Sequence, residues 1–149
     1  MAVKQYPKIY LYQRIVQAKL FIDKNYADKI DVENISGEAY FSKFHFTRLF
    51  KKIYGKTPYQ YLTSVRIDNA ILLFKKEKSI SDVCFLVGFE SLTSFTGLFK
   101  KYVGVSPSVF LKSEQNRKQQ IMNNPLQYVS GCFARQFGWT KNSNFEEVK

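Results

Sequence analysis

A stretch of about twenty residues occurs twice in this chain, and the repeat narrows the folds open to it. Residues 42–62 read SKFHFTRLFKKIYGKTPYQYL and residues 91–111 read SLTSFTGLFKKYVGVSPSVFL. At an offset of 49 positions (91 minus 42), Ser42, Phe46, Thr47, Leu49, Phe50, Lys51, Lys52, Gly55, Pro58 and Leu62 each fall on an identical residue. Agreement at about half the positions indicates one duplicated supersecondary unit.

Each copy opens on a serine suited to cap a helix, runs about three turns, stops at a glycine and restarts at Thr-Pro or Ser-Pro. Gly55 and Gly104 can take the left-handed conformation that closes a helix, and Pro58 and Pro107 suit a first helical position, where no N–H is needed. Thr57 with Gln60 forms a capping box at the first restart. In the first copy, Phe46, Leu49, Phe50 and Ile53 fall at i, i+3, i+4 and i+7, one helix face to bury, matched by Phe95, Leu98, Phe99 and Tyr102. The neighbouring stripe, Phe44, Thr47, Arg48 and Lys51, is polar and basic apart from one ring and is expected to face outward.

No acidic residue occurs from Ser42 to Tyr61 or from Ser91 to Ser113. The first interval carries Lys43, Arg48, Lys51, Lys52 and Lys56, and the second Lys100, Lys101 and Lys112. A merely solvated helix face usually mixes signs, because opposite charges three or four residues apart support it. Two acid-free faces therefore point to a polyanion, with Lys and Arg for phosphates and Arg, Thr, Ser or an aromatic for base edges and thymine methyls. The net charge of +11 agrees with a nucleic acid or another anionic surface as partner.

With 149 residues and 45% apolar content, the chain can bury one or two small cores. No apolar run approaches the ~20 residues needed to span a bilayer, and the first residues lack a signal-peptide core, so a soluble, cytoplasmic protein is expected. Cys84 and Cys132 form no metal pattern and are expected to be reduced, with Cys84 packed in a core rather than acting as a redox sensor. His45, the only histidine, sits among aromatics and reads as a surface or core residue rather than a catalytic or metal-binding one. The absence of a Gly-rich phosphate loop, a paired carboxylate site and a nucleophile elbow speaks against an enzyme, and no cofactor is expected.

In chain order, residues 9–26 place Leu11, Ile15, Ala18, Ile22 and Tyr26 on one face of a covering helix. Asp31 is suited to cap a short helix carrying Val32, Ile35 and Ala39 inward, weakened by Gly37 and followed by a tight break near Tyr40 and Phe41. Pro58 to about Lys75 forms a helix of ~27 Å, apolar around much of its circumference through Tyr61 or Leu62, Val65, Asn69 or Ala70, Leu72 and Leu73. Ser79 caps another short helix with Val83, Cys84, Leu86 and Val87, Gly88-Phe89-Glu90 turns, and the second repeated helix follows. The expected fold is all-α: two helix-turn-helix subdomains joined by a long linker helix, about seven helices in all, plus a C-terminal tail. Beyond Lys112 a polar helix is expected to run to Pro125. The last segment, with Phe133, Phe137 and Trp139, reads as a tail that folds back or frays, or as a partner-binding element.

Over roughly residues 9–111 the chain resembles the DNA-binding domain of the AraC/XylS family of bacterial transcription regulators. TPYQYLTSVRIDNAILL looks like the family's linker helix, with Arg66 and Ala70, and ISDVCFLVGFESLTSFTGLFKKYVGVSP looks like its second signature. On this resemblance residues 1–112 are the DNA-binding domain. Its first helix-turn-helix spans about 31–55, the linker helix about 58–75 and the second helix-turn-helix about 79–104, and residues 113–149 form an extension. The resemblance implies a monomer that lays both recognition helices into adjacent major-groove segments of double-stranded DNA and contacts or recruits RNA polymerase. Lys43, Phe44, Thr47 and Arg48 would then face bases and Lys51 or Lys52 phosphate, while Leu92, Thr93, Ser94 and Thr96 serve the second unit; Lys100 and Lys101 complete the DNA-binding set.

One position departs from the family: Gly97, the partner of Arg48, stands where Arg is usual. The missing guanidinium removes a potential bidentate guanine contact, typically ~1–3 kcal/mol of discrimination. The first unit is therefore expected to supply most base readout and the second to anchor on phosphate. Many family members carry an amino-terminal effector or dimerisation domain, which the first eight residues do not hold; a stand-alone regulator and a part of a longer one both remain open. Two other functions compete: a helical adaptor for an acidic protein, and an architectural nucleic-acid protein without sequence preference.

Overall fold

The computed structural model describes residues 9–39 and 42–136. Among them the structure is helical throughout, with α1 (Ile9–Asn25), α2 (Val32–Ala39), α3 (Lys43–Tyr54), α4 (Pro58–Lys75), α5 (Ile80–Leu86), α6 (Leu92–Val103) and α7 (Pro107–Asn123). A 3₁₀ turn (Pro125–Tyr128) and a short helix, α8 (Gly131–Gln136), follow. The chain divides into two compact units that part between Pro107 and Ser108. The break near Tyr40 and Phe41 and the aromatics Phe137 and Trp139 lie outside the described residues.

Local chemistry places the helix ends. The hydroxyls of Ser42, Ser79 and Ser91 accept from the backbone N–H three residues on, at His45, Asp82 and Ser94. Thr57 and Gln60 form the reciprocal capping box. Asp31 caps α2 by accepting from the Asn34 N–H at 2.8 Å. Gly55 and Gly104 take φ of 73° and 94°, and their N–H groups donate to the Lys51 and Lys100 carbonyls at 2.8 Å each, so both repeated helices end alike.

The first core gathers Ile15, Ala18 and Ile22 of α1, Ile35 of α2, Phe46 and Phe50 of α3 and Leu62 of α4. In the second, Phe74 of α4 meets Phe95 at 6.3 Å and Phe99 at 5.6 Å between ring centroids, with Val83, Cys84, Val87 and Phe89 also buried. The linker helix thus contributes to both cores, burying Leu62, Thr63, Ile67, Ala70 and Phe74. Its apolar circumference is not uniformly inward, since Leu72 is exposed, as is Leu86 on α5.

Spacing placed Ile53 and Tyr102 on the buried stripes, and both lie outside them, 37% and 38% exposed. Tyr54 packs in the place of Ile53, 4.7 Å from the Phe50 ring and 5.9 Å from Tyr61, and Val103 is half-buried beside exposed Tyr102. Burial follows the i±4 ridge (Phe46, Phe50, Tyr54; Phe95, Phe99, Val103) because such ridges are what a crossing helix accepts.

A polar clamp joins α1 to α4. Asp23 takes Lys19 Nζ at 2.7 Å on one carboxylate oxygen and the Tyr61 hydroxyl at 2.7 Å on the other. Burial, reinforced by the bond to Asp23, pushes the Tyr61 hydroxyl up to about 12. The hydrogen bond to Asp23 likewise raises the Lys19 ammonium. Cys84 is buried, which pushes its thiol up, and Cys132 is exposed; both are free thiols.

Candidate nucleic-acid interface

The chemistry-bearing face of α3 follows from what that helix buries. With Phe46 and Phe50 fixed in the core and Leu49 packed against it, Arg48 between them is turned to solvent. Lys43, Arg48, Lys51 and Lys52 are exposed, and Phe44 projects a ring that is 81% exposed. Thr47 is half-buried, and its hydroxyl donates to the Lys43 carbonyl at 2.8 Å, which leaves its methyl group and a lone pair for a partner. Lys43, Phe44, Thr47 and Arg48 together line one shallow depression. An exposed ring among cations has no packing reason to be there, whereas it suits a thymine methyl or a base face.

On α6, Leu92, Thr93, Ser94, Thr96, Lys100 and Lys101 are all exposed, so the twelve predicted side chains form two patches, one on each repeated helix. Ser94 differs from its neighbours in already having a local partner, because its hydroxyl oxygen accepts from the Ser91 hydroxyl at 3.0 Å. Gly97 is exposed, and a Cβ added there meets nothing within 4 Å. Lys51 and Lys52 fill the last turn of α3 and Lys100 and Lys101 the last turn of α6, where the helix dipole favours cations.

Between the two helix-turn-helix subdomains, within the first compact unit, lies a cleft of about 720 Å³ bounded by Lys29, Tyr59, Arg66, Phe89, Ser91 and Ser94, among others. Arg66 crosses it from α4. Its Nε donates to the Tyr26 carbonyl at 2.7 Å, its Nη2 donates to the Asp28 carbonyl at 2.9 Å, and its guanidinium carbon stands 5.6 Å from the Phe89 ring centroid. Burial lowers the Arg66 pKa, with the charges of Tyr59 and Glu90 opposing that fall. Arg66 was not among the predicted binding residues, and its partners are 38 and 40 positions away, beyond any local pattern. Its legible signal is its place in the linker-helix motif, where it is the one cation ahead of Lys75 at the helix end.

Among the described residues, no group of three or more His, Cys, Asp and Glu is arranged to hold a metal ion. None of the described helices is long and apolar enough to cross a membrane.

Comparison with known proteins agrees with this architecture. A family model described as a helix-turn-helix domain matches residues 35–113. The bifunctional transcriptional activator/DNA repair enzyme AdaA of Bacillus subtilis (strain 168) is 36% identical over 91 residues, 60% of this chain and 43% of that protein. The melibiose operon regulatory protein of Escherichia coli (strain K12) is 32% identical over 100 residues, 66% of this chain and 33% of that protein. The chain therefore spans less than half the length of either relative. Among solved structures, the DNA-binding domain of AdpA, in complex with a target DNA, superposes with a TM-score of 0.68 at 26% identity, covering 72% of this chain and 97% of that one. An AraC-type regulator structure from Chromobacterium violaceum, at 21% identity and a TM-score of 0.63, covers 69% and 93% and shares the fold. With two capped, duplicated helix-turn-helix units on one linker helix and a matching family model over more than half its length, the chain belongs to the AraC/XylS-type helix-turn-helix family.

Proposed function

We propose that this chain is a sequence-specific double-stranded DNA-binding transcription regulator that lays α3 and α6 into adjacent major-groove segments of a promoter. The observation that carries the reading is the pair of acid-free helices with equivalent caps, each burying its aromatic ridge and turning its cations outward. The relatives named as transcriptional regulators and the DNA-bound structural neighbour support it.

In this reading Arg48 forks onto a guanine edge, Lys43 reaches a base edge, Phe44 and Thr47 meet thymine methyls, and Lys51 or Lys52 neutralises phosphate. On the second helix Leu92, Thr93, Ser94 and Thr96 approach bases more weakly, and Lys100 and Lys101 anchor on phosphate. The chain acts in the cytoplasm as a monomer on DNA, contacts RNA polymerase, performs no catalytic step and needs no cofactor.

Selection of bound sequences from a random duplex library at physiological salt tests the reading directly. A bipartite site with blocks ~10 base pairs apart is expected. Retention of DNA without enrichment would replace it with the architectural function, and no retention at all with the protein adaptor. On the selected duplex, Arg48→Ala is expected to lose ~1–3 kcal/mol and to relax preference at one base position, whereas Lys51→Ala weakens all sequences alike and lowers the salt slope by about one. Titrations at two salt concentrations separate these effects.

Gly97→Arg has room for its Cβ and removes a helix-interior glycine, a gain of about 1 kcal/mol in helix stability. Specific binding should be unchanged or stronger. A severe loss of specific affinity would overturn the division of labour in which the first helix reads bases and the second mainly anchors.

A further inference from the structure

Three elements meet at one point in the cleft between the helix-turn-helix subdomains. The first is the chain leaving α1, whose Tyr26 and Asp28 carbonyls accept from Arg66. The second is α4, which supplies the guanidinium. The third is the turn between α5 and α6, where Gly88 takes φ of +96° and Phe89 puts its ring against the guanidinium. An ion pair from Lys29 Nζ to Glu90 Oε1 at 3.2 Å bridges the first and third elements at the surface.

Each outer element is bonded in turn to a recognition helix. α1 shares its core with Phe46 and Phe50 of α3. Phe89 packs on Phe95 of α6 at 5.2 Å between centroids. The path from α3 to α6 therefore runs through α1, Arg66 and Phe89, in parallel with the linker helix itself. A planar fork that donates along two directions restrains orientation as well as distance, which a single ammonium does not.

Resting on the two-headed DNA reading above, we propose that Arg66 is a positioning residue that sets the separation and angle of α3 and α6, and hence the spacing of the two sequence blocks the protein accepts. Arg66 touches no base in this role. It restrains the DNA-free protein in the arrangement that DNA requires, so that binding of one head presents the other at high effective concentration.

The test uses the full chain with Cys132→Ser and spin labels at Lys56→Cys and Val105→Cys, equivalent exposed positions just past the two recognition helices and outside the proposed DNA-contacting set. The distance distribution without DNA is compared between Arg66 and the Arg66→Met and Arg66→Lys variants, with helicity checked by circular dichroism. A narrow distribution in the parent that broadens in both folded variants is expected. On DNA, the parent should prefer the selected block spacing over spacings one base pair shorter or longer. The variants should lose ~10-fold in affinity for the preferred spacing, and most of that preference, while binding a single-block duplex as before.

Unchanged distances in folded variants, or an unchanged spacing preference, would overturn the proposal, as would unfolding of both variants, which would make Arg66 a fold-holding residue. If the distances broaden but the parent itself enriches no DNA sequence, the DNA reading fails while the positioning role stands.

Discussion

Replacing Phe50 with alanine is expected to lower the stability of the first helix-turn-helix unit by about 3–5 kcal/mol. The Phe50 ring is fully buried and contacts three others, with centroids at 5.6 Å for Phe46, 4.7 Å for Tyr54 and 5.6 Å for Tyr61. Neighbours held on three different turns and two helices cannot collapse together into the vacated space, so a cavity term adds to the lost transfer energy. A domain with a total stability of ~5–15 kcal/mol would be left marginal at best. Because α3 is seated through this ring, specific DNA binding should fall with it. Urea unfolding at 25 °C measures the loss directly, with Ile53→Ala as the control. Ile53 lies on the same helix but is over a third exposed, and its truncation should cost about 1 kcal/mol or less. Similar costs for the two variants would mean that the aromatic ridge does not carry the unit.

The second large effect is expected at Gly88, where alanine should destabilise the fold by about 3 kcal/mol. Two causes add. The residue sits at φ +96°, which disfavours any side chain, and a Cβ there would lie 2.8 Å from the Ala27 carbonyl oxygen and 2.9 Å from that of Tyr26. Those oxygens are backbone, and the Tyr26 carbonyl is already held by Arg66, so neither can swing away as the tip of a side chain would. Gly55→Ala separates the causes. Gly55 also has a positive φ, +73°, but a Cβ there meets nothing within 4 Å, so its cost should be the conformational one alone, about 1 kcal/mol. Thermal unfolding of both variants decides the matter, and equal melting temperatures would mean that the joint between α1 and the α5–α6 turn yields easily. The same two variants bear on DNA binding, since only Gly88 lies at the contact that connects the two helix-turn-helix subdomains.

These two glycines also mark where sequence reading reaches its limit. Both are followed by a change of element, and both read as turn residues. Gly55 could be assigned its role from its place after a capped, three-turn amphipathic run. At Gly88 the local part, a turn, was equally legible, but the close approach of a chain segment some sixty residues earlier was not. Likewise, the paired aromatics at i and i+4 identified Phe46, Phe50, Phe95 and Phe99 as core, while the choice between Ile53 and Tyr54 for the next place depended on the neighbouring helix.

The sequence by itself determined the duplication, the start and stop of each repeated helix, the aromatic ridges and the two acid-free basic faces, and through them the family. The helix ends and the ridges follow from interactions within about four residues, namely caps, left-handed glycines and the 3.6-residue period, so they are written in adjacent letters, and the duplication needs only two stretches laid side by side. Only the tertiary structure decided which distant elements are tied to one another. Arg66 on the Tyr26 and Asp28 carbonyls, Gly88 against Ala27, and the Tyr61 hydroxyl on Asp23 each depend on where a packed helix ends up in space. A guanidinium has no local preference for a carbonyl forty positions away. It finds one because the cores on either side of α4 have brought that carbonyl within reach.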